Sequence, residues 1–377
     1  MAQLVETQAD LERLFQRLAR EPLLAVDTEA ASFHRHRDRV YLLQLSSRNE
    51  TAVVDPLAIE SLSPLGQVLA DPAIEIVFHD ADYDLRLLHQ EYGFSATNLF
   101  DTRIAAQLLN EPGVGLAALL EKYAGVRLDK RYQRADWSAR PLSAGMLEYA
   151  AADTSHLLEL RDLLRAHLAE RGRLAWAEEE FGLLSGLRWS APETEEPAYL
   201  RMKGAKALDR RGLAILRELF QWREDIAQRT DRAAFRILNN EAMLDLAKAA
   251  PSNLEALKHT RGIGEEQAVR RGGEILAAIR RGLAVPENEL PRLVRPPRRP
   301  QDSAYQARVE RLKAVRNRLA IRYDLAPGVL CSNGTLEAIA RVNPTTLKEM
   351  GEIRELRGWQ FKEIGNELLA ALRQPAA

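Results

Sequence analysis

The chain has 377 residues, 46% hydrophobic and 28% charged, with 53 Lys+Arg against 54 Asp+Glu. At roughly 100–200 residues per domain this suits two or three folded domains and excludes a disordered chain. The single cysteine, Cys331, excludes an internal disulfide framework and a cysteine-based zinc site, and it fits a reducing compartment. No apolar run approaches the ~18 residues needed to span a bilayer. Glu6, Asp10 and Glu12 argue against a secretory signal, so a soluble, cytoplasmic protein without a membrane partner is expected.

The first half alternates strand and helix signals. Leu23-Leu24-Ala25-Val26 is a short apolar run of the buried-strand kind. Residues 40–45 and 51–54 read as two more strands, the latter stopped by Asp55-Pro56, and 74–78 as a fourth. Helices follow over about 81–91, 102–110, 115–124 and 144–168. Short loops between the first three strands favour antiparallel neighbours, and later strand–helix alternation favours parallel ones. The expectation is a mixed sheet with helices on both faces.

The Pro/Glu stretch at 190–197 breaks this pattern and reads as a linker. Everything after it is helical, apart from a second linker of five prolines between Pro286 and Pro300. The helical half repeats at an offset of 93, which superposes Arg223 on Arg316, Pro251 on Pro344, and Gly272 on Gly365. Two copies joined by a proline-rich linker read as tandem helical domains rather than a solenoid. Charge divides the same way: residues 1–200 sum to −12 and residues 201–377 to +11. Residues 291–322 hold ten Arg/Lys against two acids, which fits either a solvated helix face plus a linker or a phosphate-binding surface.

Asp27 and Glu29 stand at the exit of the first strand, and side chains at i and i+2 share one face. Two carboxylates with no Lys or Arg in residues 23–32 repel each other unless a cation lies between them, and hard divalent ions take oxygen ligands. Asp84 falls early in the helix after the fourth strand, where Asp80, Asp82 and Asp84 also complement the helix dipole. In Glu148-Tyr149-Ala150-Ala151-Ala152-Asp153 the alanines favour helix, and Tyr149 and Asp153 share one of its faces. Alone, Tyr149 reads as a core aromatic. The flanking alanines, which let the helix approach a sheet or substrate closely, argue for a site.

These motifs, in the order D-x-E, D and Y-x-x-x-D, resemble those of the DEDD exonuclease superfamily on a ribonuclease H-like sheet. Ala25-Val26-Asp27-Thr28-Glu29, His79 to Leu85, and Asp136-Trp137-Ser138-Ala139-Arg140-Pro141-Leu142 upstream of Tyr149 are similar to the motif text of ribonuclease D and its relatives. Glu148 stands where another subclass has histidine, so the resemblance is to the tyrosine subclass. The helical repeats resemble HRDC domains. The resemblance implies an α/β exonuclease domain over 1–188, a linker over 189–208, HRDC-like domains over 209–285 and 304–377, and a Pro/Arg-rich linker over 286–303.

It further implies that Asp27, Glu29, Asp84 and Asp153 hold two divalent ions, Mg²⁺ or Mn²⁺, and that Tyr149 orients the attacking water. The product would be a nucleoside 5′-monophosphate taken from RNA with a free 3′ end, with tRNA precursors and other structured RNA as expected substrates. A DNA exonuclease of the same superfamily and a non-catalytic RNA-binding protein are the competing readings. The missing G-x-x-x-x-G-K-[ST] loop argues against a helicase.

Phe33 is the candidate for stacking on the terminal base, and Arg316 and Arg318 are candidate RNA contacts. Gly262-Ile263-Gly264 could present backbone N–H groups to phosphate, whereas the second repeat has Arg357 in place of Gly264. The acidic half is expected to cut and the basic half to hold RNA, so that truncation near Glu193 leaves a folded exonuclease.

Overall fold

A computed structural model of the chain describes residues 2–191, 196–293 and 302–373. It forms two compact units: the described parts of 1–29, 40–189 and 299–377, and those of 30–39 and 190–298.

The first unit is built on a six-stranded sheet ordered β1-β4-β3-β2-β5-β6. The strands are β1 (Gln3–Val5), β2 (Leu23–Ala30), β3 (Val40–Ser46), β4 (Thr51–Val54), β5 (Glu75–Phe78) and β6 (Leu99–Asp101). β3 and β4 pair antiparallel across the short loop 47–50, whereas β2 with β5, β5 with β6, and β1 with β4 pair parallel. The sheet is therefore mixed, as expected. β3 is buried along its whole length, which explains a continuous apolar run in place of alternation. β1 and β6, three residues each, are too short to have shown a pattern.

Eight helices accompany the sheet: α1 (Gln8–Leu18), α2 (Ser63–Ala70), α3 (Asp82–Tyr92), α4 (Thr102–Leu108), α5 (Leu116–Ala124), α6 (Ala144–Ser155), α7 (Leu157–Glu170) and α8 (Leu174–Ser185). Unlike the single helix expected over 144–168, α6 and α7 are separated at His156, whose backbone leaves the helical region. α6 lies against β3 and β4. Its fully buried Ala150 permits that approach, and Ser46 and Thr154 hydroxyls bond at 2.8 Å.

The helical half contains a short α9 (Ala198–Arg201) and two five-helix copies. The first copy is α10 (Arg210–Thr230), α11 (Ala234–Ile237), α12 (Asn240–Ala249), α13 (Leu254–Lys258) and α14 (Glu265–Ala284). The second is α15 (Ser303–Arg322), α16 (Pro327–Leu330), α17 (Asn333–Val342), α18 (Leu347–Gly351) and α19 (Gly358–Arg373). Every helix start in the second copy lies 93 residues after its counterpart.

The matched arginines explain part of that repeat and correct one expectation. Arg223 donates to the Leu238 carbonyl at 3.2 Å and to Asn240 Oδ1 at 2.7 Å. Arg316 donates to the Cys331 carbonyl at 3.1 Å and to Asn333 Oδ1 at 2.7 Å. Each buried guanidinium ties the first long helix to the loop before the third helix. Arg316 is therefore an internal fastener whose donors are spent on its own domain, not an RNA contact. Arg318 is exposed on α15.

One boundary expectation also changes. Within 189–208, the side chains of Tyr199, Leu200, Met202, Ala205 and Leu208 are buried in the helical core of the second unit, so most of this stretch is packed structure. Residues 192–195, including Glu193, and residues 294–301 of the proline-rich linker lie outside the described residues.

The second helical copy packs in the same unit as the nuclease sheet. The Trp176 and Trp359 rings stack with centroids 4.6 Å apart. Arg173 donates to the carbonyls of Leu108, at 2.6 Å, and Tyr323. The Glu179 carboxylate accepts from the Gly358 and Trp359 backbone N–H groups at 2.6 and 2.8 Å, and Glu180 accepts from the Trp359 indole at 2.9 Å and from Arg357 at 3.3 Å. The start of α19, equivalent to the Gly264 turn of the first copy, is thus filled by protein carboxylates. Truncation near residue 193 would uncover Trp176 and strip these partners from α8, against the expectation of a self-sufficient exonuclease.

Candidate active site

β2 extends past the apolar run to Ala30, so Asp27 and Glu29, expected at the exit of the strand, are among its last four residues. Alternation along the strand puts both on one face. Asp153 comes from α6, and carboxylate oxygens of Asp27, Glu29 and Asp153 lie within 4.8 Å of one another. Asp84, in the first turn of α3, is buried and accepts a hydrogen bond from the Thr28 hydroxyl. All four line one cavity of about 360 Å³, together with Tyr149, His79, Tyr83, Arg103 and Gln133.

The electrostatics are those of four crowded carboxyl groups, with Arg103 at the cavity wall already paired to Asp80. Burial, then the charge of Asp153, pushes Asp27 up to about 8. Burial raises Asp153 to about 7. Glu29 and Asp84 are also held well above the ordinary carboxylate range, by burial first and by neighbouring carboxylates second. Buried carboxylates are stable as anions only when paired with a cation. The donor set is entirely oxygen, which fits hard divalent ions.

Tyr149 is placed one helical turn before Asp153. Its ring is flanked by Tyr132, edge-on at 5.9 Å, and by the buried Trp137 at 6.0 Å. Burial and the adjacent carboxylates raise its phenol, which therefore stays protonated at neutral pH. His79 is pushed down to about 4 by burial and bonds Thr102 Oγ1 at 2.9 Å, so it is neutral at the cavity wall.

The structure thus gathers Asp27, Glu29, Asp84, Tyr149 and Asp153 into one cavity. Phe33 belongs to the second unit, where its half-exposed ring lies edge-on to Phe235 at 6.3 Å. Sequence reasoning gave no role to Thr28, Tyr83, Arg103 or Gln133. Thr28 sits between the two acids of the first motif, the one local signal that could have singled it out. The others line the cavity through tertiary placement alone.

A ribonuclease H-like mixed sheet carrying D-x-E, D and Y-x-x-x-D around one half-buried, carboxylate-lined cavity defines a 3′-5′ exonuclease. The family model described as 3′-5′ exonuclease matches residues 2–169, and the HRDC domain model matches residues 212–279 and 306–372. Ribonuclease D of Gluconacetobacter diazotrophicus is 34% identical over 97% of this chain and 92% of its own length. The crystal structure of Escherichia coli RNase D, described as an exoribonuclease involved in structured RNA processing, is 26% identical, covers 99% of each chain and superposes with a TM-score of 0.70. The catalytic core of RRP6 from Trypanosoma brucei is 31% identical over 76% of this chain and 81% of its own, with a TM-score of 0.67. The chain belongs to the ribonuclease D family and is a metal-dependent 3′-5′ exoribonuclease.

Proposed function

We propose that Asp27, Glu29, Asp84 and Asp153 hold two divalent ions, Mg²⁺ or Mn²⁺, and that the chain releases nucleoside 5′-monophosphates one at a time from the free 3′ end of RNA. The observation carrying this reading is the approach of Asp27, Glu29 and Asp153 to within 4.8 Å, one helical turn from Tyr149. Held by these four carboxylates, such ions would supply charge neutralisation for the phosphodiester and for the attacking and leaving oxygens. Tyr149, protonated and wedged between two aromatic rings, orients the attacking water through its hydroxyl rather than removing its proton. Thr28 fixes one rotamer of Asp84. Arg103, paired with Asp80, sets a cation at the wall of an otherwise anionic cavity, suited to a phosphate next to the scissile one.

The proposed substrates are RNAs whose 3′ ends need trimming, tRNA precursors among them, processed in the cytoplasm. A single cysteine, the buried Cys331, is in keeping with that compartment. The proposed domain limits are 1–188, 209–285 and 304–377, and each helical family match falls inside one of them.

The test is Mg²⁺-dependent release of labelled mononucleotide from 3′-labelled RNA, beside the DNA oligomer of the same sequence and an RNA with a blocked 3′ end. Release from free-ended RNA alone is expected. Equal or faster release from DNA would move the assignment to a DNA exonuclease, since the 2′-OH distinguishes the two. No release from any of them would leave a non-catalytic RNA-binding protein.

A further inference from the structure

The chain passes from the active-site strand directly into a segment that the first helical copy holds. Glu29 is followed by residues 30–39, which pack in the second unit. The Asp231 carboxylate accepts the backbone N–H groups of His36 and Arg37 at 3.2 and 3.3 Å, and the Arg35 guanidinium approaches it at 4.0 Å. The Ala233 N–H donates to the His34 carbonyl at 3.0 Å, and Arg236 donates to the Phe33 carbonyl. The Phe33 ring rests against Phe235. Main-chain groups of four of the five residues from 33 to 37 are therefore bonded to one corner of the helical domain.

That corner is a purpose-built docking point. Asp231 ends α10 in the left-handed region, at φ +44°. Its counterpart 93 residues on, Asp324, has φ +47° and accepts from Asn110 and Arg171 of the nuclease domain at 2.9 and 2.8 Å. Both copies thus use the same aspartate to grip nuclease-domain sequence. In the first copy the gripped residues begin at Phe33, four residues after Glu29.

We propose that Asp231 is a positioning residue for the exonuclease reaction: the first helical copy holds the 30–39 strap, and through it the end of β2 that carries Glu29. The first copy then sets the rate on every RNA, including ones too short to reach any distant binding surface. This rests on the exonuclease reading of the site. It opposes a strict division in which the acidic half cuts and the helical half only holds structured RNA. Displacing a reacting group by about 1 Å costs up to 10²-fold in rate.

Two substitutions separate docking from folding. Asp231→Asn keeps an oxygen acceptor and tolerates the left-handed backbone, whereas Asp231→Gly keeps the backbone free of strain and loses the acceptor. In the full-length protein, with saturating Mg²⁺ and a five-nucleotide unstructured RNA, Asp231→Gly is expected to lower kcat by about 10- to 100-fold. Asp231→Asn should stay within about threefold of the parent, and both should keep the parent's Tm to within a few degrees. Phe235→Ala, at a half-exposed position, should also slow the short substrate. Amide hydrogen exchange at His36 and Arg37 should speed up in Asp231→Gly and not in Asp231→Asn. Unchanged kcat on the short RNA in Asp231→Gly, or a loss confined to KM for structured RNA, would overturn the proposal. Failure of the exonuclease reading would show separately, as a parent protein that releases no nucleotide. The exchange measurement would then still decide whether Asp231 holds the strap.

Discussion

Arg140 and Asp55 form a bonded pair that locks the segment behind the active-site tyrosine. The guanidinium donates to Asp55 Oδ1 at 2.8 Å, to the Tyr41 carbonyl at 2.9 Å and to the Trp137 carbonyl at 2.7 Å. Asp55 is almost fully buried, and Trp137 backs Tyr149. Arg140→Met should strand the buried carboxylate and cost about 3 kcal/mol, the low end for a broken buried pair because the arginine is about a quarter exposed. Urea unfolding measures this. Asp55→Asn with Arg140→Met should recover part of the loss, and no coupling between the two substitutions would refute the assignment.

Asp27→Asn should keep the fold and abolish hydrolysis, because the amide keeps the volume and loses the charge. In metal-free buffer at neutral pH it should also raise Tm, since the amide needs no proton uptake to sit in the cluster, whereas Asp27 does. A variant that hydrolyses RNA at near the parental rate would disprove the metal assignment.

Tyr149→Phe removes only the hydroxyl and leaves the ring between Tyr132 and Trp137. kcat should fall about 10²-fold, within the range of a positioned proton-handling group. Metal affinity, read by titration calorimetry, should be unchanged. Loss of both together would favour a packing role.

The raised carboxylates make stability depend on metal and pH. Free carboxylates titrate near 4, whereas folded Asp153 and Asp27 titrate at about 7 and about 8. Between those values the native chain holds protons that the unfolded chain has lost, so stability falls as pH rises. Metal-free protein should therefore lose Tm from pH 5 to about pH 8, by which point Asp153 and Asp27 give up the protons that the unfolded chain has already lost. Added Mg²⁺, which binds the deprotonated cluster, should raise Tm more at pH 8 than at pH 5. A flat metal-free profile over that window would contradict the buried, unpaired cluster.

Arg316 and Arg318 should respond differently to charge reversal. Arg316→Glu buries an unpaired anion opposite the Cys331 carbonyl and should unfold the second helical copy, seen as lost helical circular dichroism. Arg318→Glu, on an exposed face, should fold normally and weaken RNA binding with a shallower salt dependence. An unchanged salt slope would remove Arg318 from the RNA surface.

Asp27, Glu29, Asp84, Tyr149 and Asp153 were all legible in the sequence. Short-range geometry relates two pairs of them, Asp27 with Glu29 by period two along β2 and Tyr149 with Asp153 one turn apart on α6, whereas Asp84 was carried by the motif resemblance. The 93-residue repeat was legible for the same reason, because each copy must place the same arginine, the same apolar positions and the same turns at the same spacing. What no local pattern carried was the partner of each group. Arg316 looked like a member of a basic surface until folding brought it a carbonyl and an asparagine, as it did for Arg223 in the first copy. Tyr199 and Leu200 looked like linker until the helical core closed over them. Asp231 reaches His36 across 195 residues of sequence, and Glu179 reaches Gly358 across 179. Which charges face solvent, and which helical copy grips which part of the nuclease, are decided by burial and by satisfying backbone N–H groups at long range. Those are properties of the packed chain and not of any stretch of it.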